Sequence, residues 1–481
     1  MTPLTILAVF VVYTTIVFSI SRLTARKADN ESYFVGNRNS PWYVVAYGMI
    51  GASLSGVTFM SVPGLVKGEQ FSYMMLVFGY LVGYFVIAFV LLPLYYKLNL
   101  ISIYSYLEKR FGILSLKTGS FFFMLSRLIG ASFRMFLVVS VLQLFVFDSW
   151  GVPMAFTVFL IISFLLLYTF KGGIKTVVWT DTLQTTFMLS AVVITIFLVS
   201  NALNMNLGQL FSAAKAEGFT NMIVTDFQHP RFFLKQFLAG IFITIVMTGL
   251  DQDMMQKNLS CRTLKDARKN VLTFGVILIP VNLMFLFLGA VLWLYADQMG
   301  ISMMRTSDEL FPTIALNYLG VAAGITFFFG LVSAAYSSID GTLTALTTTF
   351  CIDFLGLKRK PGITEEKIKQ TRYVVHASFA VLVMIIIWLY GAINNDALIS
   401  RLFTIAGYTY GPLLGLFAFG MFTKRSVKDR LVPYIAVASP IVSYLINLTS
   451  ERLFWGYKFG FEILLLNGLI TIIGLFAISK K

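Results

Sequence analysis

Charge is scarce in this chain. Only 12% of its 481 residues are Asp, Glu, Lys or Arg. No polar stretch is long enough to fold as a domain in water; the longest break between apolar runs, about residues 202–232, has the length of a loop. Histidine is rarer still, with His229 and His376 alone. Two distant histidines exclude a His-based metal cluster and leave a membrane-embedded enzyme without its usual His/Asp, Ser/His or metal set. His376 is expected at an interior or interface position. The two cysteines, Cys261 and Cys351, exclude a disulfide framework.

What is present is apolar. Hydrophobic residues make up 58% of the chain and the mean hydropathy is +0.82. Apolar runs of about 20 residues recur from end to end, each able to cross a hydrocarbon core roughly 30 Å thick. The sequence predicts an all-α, multi-pass membrane protein with thirteen crossings, near residues 4–20, 43–65, 72–96, 118–147, 153–170, 174–201, 233–255, 269–296, 312–350, 373–391, 397–422, 430–448 and 460–478. The ninth is too long for one crossing and predicts a short helix outside the membrane before residue 321. No small-residue cleavage site follows the first run, so it is expected to be a retained helix. The formal net charge of +15 invites a nucleic-acid reading, but location decides against it. With the N-terminus outside and the C-terminus inside, most Lys and Arg fall in cytoplasmic gaps. Clusters such as Arg262, Lys265, Arg268 and Lys269 read as topology anchors at the lipid surface.

Polar residues inside spans mark the protein interior, because polarity facing lipid is penalised. On a helical wheel of the ninth span, Ser333, Ala334, Ser337, Asp340, Gly341, Thr344 and Thr348 share one face. Leu331, Val332, Ile339, Leu343 and Leu346 share the other. Small hydroxyl residues permit close helix packing and also supply oxygen ligands. Packing alone does not call for a carboxylate at Asp340. A second intramembrane carboxylate, Asp181, lies in "KGGIKTVVWTDTLQTTF" beside Thr180, Thr182 and Thr185. It is either satisfied by a neighbouring hydroxyl or is a cation or proton site. The second span, "GMIGASLSGVTFMSVPG", is rich in poor helix formers and would free backbone carbonyls at membrane depth. The seventh span, "IVMTGLDQDMMQKNL", and the eleventh, "FTIAGYTYGPLLGLF", are also interrupted. Breaks five spans apart, in the second and seventh, point to an inverted-repeat transporter with a site at the midplane.

Four stretches carry a family resemblance: "SLSGVTFMSVPG", "KGGIKTVVWTDTLQ", "DQDMMQKNLSCRT" and "AAYSSIDGTLTALTTTFCIDF". Together, and in this order, they resemble the sodium:solute symporter family, whose members carry sugars, proline, sialic acid, vitamins or iodide. The resemblance implies a LeuT-type fold in a single transporter domain spanning residues 1–481. An extra helix would occupy about 1–30, two inverted five-helix repeats about 41–200 and 233–424, and two further helices about 425–481.

The resemblance also implies a primary sodium site. Its ligands would be the carbonyls of Gly51, Leu54 and Ala334 and the hydroxyls of Ser337 and Ser338, all hard donors for a hard cation. Some members hold a further cation, which here would lie at Asp181, Ser337, Asp340 and Gly341. Sialic-acid-type relatives have hydroxyl residues at the last two positions, where this chain has Asp and Gly. Asp340 is then a cation ligand, a carboxylate offset by a nearby cation, a protonated group, or a hydrogen-bonding partner of the adjacent helix. Candidate solute contacts are Ser53, Ser55, Thr58, Tyr80, Arg134, Gln252, Asn282, Tyr408 and Tyr410. Arg127 and Arg134 lie seven residues apart on one helix face. Either binds a substrate carboxylate through a bidentate fork, pairs with an aspartate, or snorkels to a surface.

The expected function is sodium-coupled import of a small polar organic solute, a sugar or sugar-derived acid, by alternating access. The alternatives are proton coupling on the same fold, or a membrane-embedded sensor or enzyme. A sensor needs an output domain, and the chain ends about three residues after the last span. No enzyme activity, nucleic acid or cofactor is expected, and no metal beyond the coupling sodium. The expected partners are the solute, sodium and the lipid bilayer, in a bacterial inner (plasma) membrane. The oligomeric state is open.

Overall fold

The computed structural model describes residues 2–24, 29–301, 306–393, 398–454, 456–457 and 459–480. The helices that bear on the site are α1 (Pro3–Thr24), α2 (Trp42–Glu69), α3 (Tyr73–Lys97), α4 (Ile113–Trp150), α5 (Met154–Leu167), α6 (Gly173–Ala202), α7 (Phe233–Gly249), α8 (Gln252–Leu259) and α9 (Leu264–Gln298). They are followed by α10 (Gly320–Thr349), α11 (Glu365–Ile393), α12 (Leu398–Phe422), α13 (Val432–Leu453) and α14 (Ile463–Ala477). Among the described residues, ten helices are long and apolar enough to cross a membrane, or eleven if α7 and α8 form one bent crossing. By length and composition these account for ten or eleven of the thirteen crossings expected from the sequence. Two further apolar helices, α5 and α14, are shorter; α14, with 15 residues, reaches about 22 Å. The over-long ninth run divides into a short helix, Leu310–Asn317, and α10.

Three breaks shape the interior. Within α2, Ser55 takes φ +50°, ψ 169°, a region disfavoured for residues with a side chain. Between α5 and α6, Gly173 has φ +53°, and a Cβ there would lie 2.4 Å from the Tyr33 ring, so glycine alone fits. Between α7 and α8 the axis bends by 65°. Freed carbonyls at this last break are not left bare. The hydroxyls of Tyr95 and Tyr104 donate to the carbonyls of Gly249 and Leu250, each at 2.8 Å. Asp251 caps α8 by accepting from the Met254 N–H at 3.2 Å.

The helices α3 and α7 touch backbone to backbone. A Cβ on Gly79 would lie 2.1 Å from the Phe237 carbonyl oxygen, and one on Gly240 2.1 Å from that of Leu76. Gly240→Leu is therefore expected to destabilise the protein by about 3 kcal/mol. Thermal unfolding of the purified variant in detergent measures this, and an unchanged midpoint would refute the close approach.

At the centre lies α10, packed mainly on α6 and α2. Every residue from 330 to 349 is buried, so its apolar face is enclosed by protein as fully as its hydroxyl face. Peripheral helices do the opposite. Val381, Leu382, Ile385, Trp388 and Leu389 of α11 are about half exposed. Such an apolar surface is costly in water and costs nothing against acyl chains.

Candidate functional site

The break at Ser55 ends the first half of α2 and removes the amide donors that carbonyls of the preceding turn would otherwise meet. Those carbonyls belong to the segment holding Gly51 and Leu54. Glycine at 51 lets α2 come up against two other helices. A Cβ there would lie 2.5 Å from Thr185 Oγ1 on α6 and 3.3 Å from Ser337 Oγ on α10. Thr185 fastens this contact: its hydroxyl accepts from the Gly51 N–H at 3.0 Å and donates to the Gly48 carbonyl at 3.3 Å. On α10, the Ser338 hydroxyl donates to the Ala334 carbonyl at 3.0 Å. The Ser337 hydroxyl is buried and lies beside the Asp181 carboxylate. Gly51 and Ser337 are therefore direct neighbours, and Ala334 and Ser338 lie one turn apart on the same helix.

Beside this seam sits an ionic network that the sequence reading did not foresee. The Lys257 ammonium on α8 lies 2.8 Å from Asp181 of α6 and 3.5 Å from Asp253, and all three side chains are almost fully buried. Asp340 of α10 accepts a hydrogen bond from Thr180 at 3.3 Å and lies within Coulombic range of Asp181, Lys257 and Asp253. Gly341 makes room: a Cβ there would stand 2.4 Å from Asp253 Oδ1 and 3.0 Å from Lys257 Nζ. Three of the four residues expected to form a further cation site, Asp181, Asp340 and Gly341, thus lie around an ammonium, and the fourth, Ser337, lies beside Asp181. A few ångströms away, Arg127 of α4 grips Asp251 with both arms, at 2.5 and 2.6 Å, and approaches Asp253 at 3.5 Å. Of the alternatives open for Arg127, pairing with an aspartate is the one adopted. The signal for Lys257 lay in "DQDMMQKN", where Asp253 and Lys257 stand at i, i+4 on one helix face.

A polar cavity of about 80 Å³ opens at the α2 break. Of the expected solute contacts, Ser53, Ser55, Thr58, Tyr80, Arg134 and Asn282 line it. Arg127 reaches it too. Tyr73, Tyr84, Thr244 and Thr248 join them without having been singled out from the sequence, where nothing distinguished them from other polar positions in apolar runs. Arg134 is buried, forms no ion pair with the described residues, and has no hydrogen-bond partner at Nε.

Three expected contacts lie elsewhere. The Gln252 amide is consumed at the turn before α4: it donates to the Ile101 carbonyl at 2.8 Å and accepts from the Ile103 N–H at 2.9 Å. The Tyr408 hydroxyl faces α13, where Asn447 donates to it at 2.9 Å. Tyr410 donates to Asp251 at 2.6 Å and lines a smaller adjoining cavity that also borders Arg127 and Arg134. Periodicity placed these residues in the interior, but it could not tell which interior gap each faces. His376 is buried and bonded to Tyr33, Thr169 and Thr347 at 3.1, 2.9 and 3.0 Å.

The sequence profile of the sodium:solute symporter family matches residues 33–429. The chain is 23% identical over 425 residues to the sodium/sialic acid symporter SiaT of Proteus mirabilis, covering 86% of this chain and 83% of that protein. It is 24% identical over 461 residues to the sodium/sialic acid symporter NanT of Aliivibrio fischeri, covering 93% and 88%. Sodium-coupled monocarboxylate transporter 1 of Mus musculus is 26% identical over 408 residues, covering 82% of this chain and 64% of that protein. Among solved structures, a substrate-bound, outward-open Na+-coupled sialic acid symporter matches with a TM-score of 0.83 at 20% identity, covering 99% of each chain. Mhp1, a nucleobase-cation-symport-1 family transporter, matches at 0.56 and 14% identity over 93% of each chain. At these identities the structural likeness is one of fold. The family profile spans most of the chain, and the helical membrane architecture agrees with it: this protein belongs to the sodium:solute symporter family.

Proposed function

We propose that this symporter imports a small sugar-derived carboxylic acid together with sodium. The observation that carries the reading is Arg134: a buried cation without an ion-pair partner among the described residues, on the wall of a polar cavity at a helix break. An unpaired guanidinium in a low-dielectric site favours an anionic ligand, and its planar fork suits a carboxylate. Hydroxyls from Ser53, Ser55, Thr58 and Tyr80 and the Asn282 amide would meet a polyhydroxylated body. Relatives named for sialic acid and monocarboxylates, both carboxylates, support the same class.

Sodium would bind at the carbonyls of Gly51, Leu54 and Ala334 and the hydroxyls of Ser337 and Ser338. Tying α10 to the broken part of α2 would preorganise the cavity wall at Ser53 and Ser55, so ion and solute bind cooperatively. Two inverted five-helix repeats, about residues 41–200 and 233–424, then rock to expose both sites to the cytoplasm. Thirteen crossings with the N-terminus outside and the C-terminus inside fit the charge bias, and the bacterial relatives support an inner-membrane location. One charge moved down 100 mV supplies about 2.3 kcal/mol, a roughly fiftyfold gradient before the sodium ratio is added.

Thermal unfolding of the purified protein against sialic acid, other sugar acids, neutral sugars and amino acids, each in sodium and in potassium, tests the substrate class. A sugar acid is expected to raise the midpoint only with sodium. Stabilisation by a neutral sugar or an amino acid instead would overturn it. For the ion site, Ser337→Ala is expected to raise the sodium concentration for half-maximal uptake about tenfold, as loss of one hard ligand worth about 1.4 kcal/mol requires. Unchanged sodium dependence would remove Ser337 from the ligand set.

A further inference from the structure

We propose that the Lys257 ammonium is a tethered cation that fills a second ion position, between α6, α8 and α10, and so leaves this transporter with no more than one sodium site. The charges around it carry the argument. Asp181, Asp253 and Asp340 approach this point from three helices, and three carboxylates at membrane depth are not tolerated without positive charge among them. A free monovalent cation is one way to supply that charge. Here a lysine supplies it from α8, with Nζ 2.8 Å from Asp181 and 3.5 Å from Asp253.

The surroundings are cut to admit an ammonium. Position 341 has no side chain, and a Cβ there would crowd both Asp253 Oδ1, at 2.4 Å, and Lys257 Nζ, at 3.0 Å. A hydroxyl-bearing residue at 341 would collide with the lysine and would itself be a cation ligand. Gly341 and Lys257 are therefore one solution: the residue that could have bound an ion is absent, and a fixed cation stands in its place. The neighbouring Arg127 holds Asp251 with both arms and shares Asp253 at 3.5 Å, which leaves Lys257 as the cation in contact with Asp181. A tethered cation stays with the protein through the cycle, so it holds α6, α8 and α10 together without contributing to the transported charge.

The proposal rests on the family's sodium coupling but not on the identity of the solute, so the experiment needs no solute. Binding of ²²Na+ is counted on the purified full-length protein, on Lys257→Ala and on Lys257→Arg. Wild type and Lys257→Arg are expected to bind no more than one ion per chain, with a Hill coefficient near one. Lys257→Ala is expected to bind one ion more, with cooperative dependence, because the carboxylate cluster regains a vacant position. Two ions in the wild type, or no increment in Lys257→Ala, would overturn the proposal. Should Lys257→Ala fail to fold, the wild-type count still decides, since two ions refute it and one or none supports it. A wild-type count of zero would fault the site at the α2 break, not this one.

Discussion

Arg127→Ala is expected to destabilise the protein by about 3–5 kcal/mol and to abolish uptake. The bidentate pair with Asp251 is buried on both sides, and removing one partner leaves an uncompensated carboxylate in a dry interior. Asp251 also caps α8 and accepts from Tyr410, so the loss spreads to the join between α7 and α8 and to α12. Replacing both charges separates the two effects. Arg127→Met with Asp251→Leu is expected to recover most of the stability, because an apolar pair of similar volume avoids the desolvation cost. It is not expected to recover uptake, since the cap at the bend is gone. Thermal unfolding and uptake into proteoliposomes check both statements. A wild-type midpoint for Arg127→Ala would mean that the pair contributes nothing to the fold.

Arg134→Met should give the opposite result, although the two arginines lie on one helix face seven residues apart. Arg134 has no carboxylate partner among the described residues, so its removal leaves no charge there unpaired and takes a costly charge out of the interior. Its unfolding midpoint is expected to equal or exceed that of the wild type. Its half-saturating solute concentration is expected to rise roughly 10- to 150-fold, the value of a hydrogen bond to a charged group of about 1.5–3 kcal/mol. Sialic acid uptake into proteoliposomes driven by external sodium is the probe, with Arg134→Lys expected to lie between. A fall in midpoint comparable to that of Arg127→Ala, with solute affinity unchanged, would make Arg134 structural and remove the basis for an anionic substrate.

The contrast between these arginines shows where reading the residues stopped. Both stand in "LSRLIGASFRMF", an apolar context that marks each as interior and says nothing about partners. The partner of Arg127 lies 124 positions away, beyond four intervening helices. Lys257 was hidden for a similar reason. Its i, i+4 spacing to Asp253 was visible, but its closest charged contact is Asp181, on α6, with α7 between them in the chain. Charge pairing at long separation leaves no periodic trace.

What could be read locally was read well. The broken second span has its kink at Ser55, inside the glycine- and serine-rich stretch, because poor helix formers fail wherever they stand. The double-glycine turn before Asp181 breaks at Gly173 for the same reason. The hydroxyl stripe of the ninth span is buried as its wheel required. The solute contacts fared less evenly, with Ser53, Ser55, Thr58, Tyr80, Arg134 and Asn282 on the cavity and Gln252, Tyr408 and Tyr410 bonded elsewhere.

By itself, the chain's order of residues determined its helical membrane class, the places where helices break and the faces that avoid lipid. These depend on hydropathy, propensity and the helical repeat, all of which act over one or two turns. Only the tertiary structure decided that Lys257 lies among three aspartates, that Arg127 is spent on Asp251 while Arg134 is not, and which polar groups share a cavity. Those outcomes depend on which helices become neighbours, and Coulombic partners and cavity walls come into being only when distant segments meet.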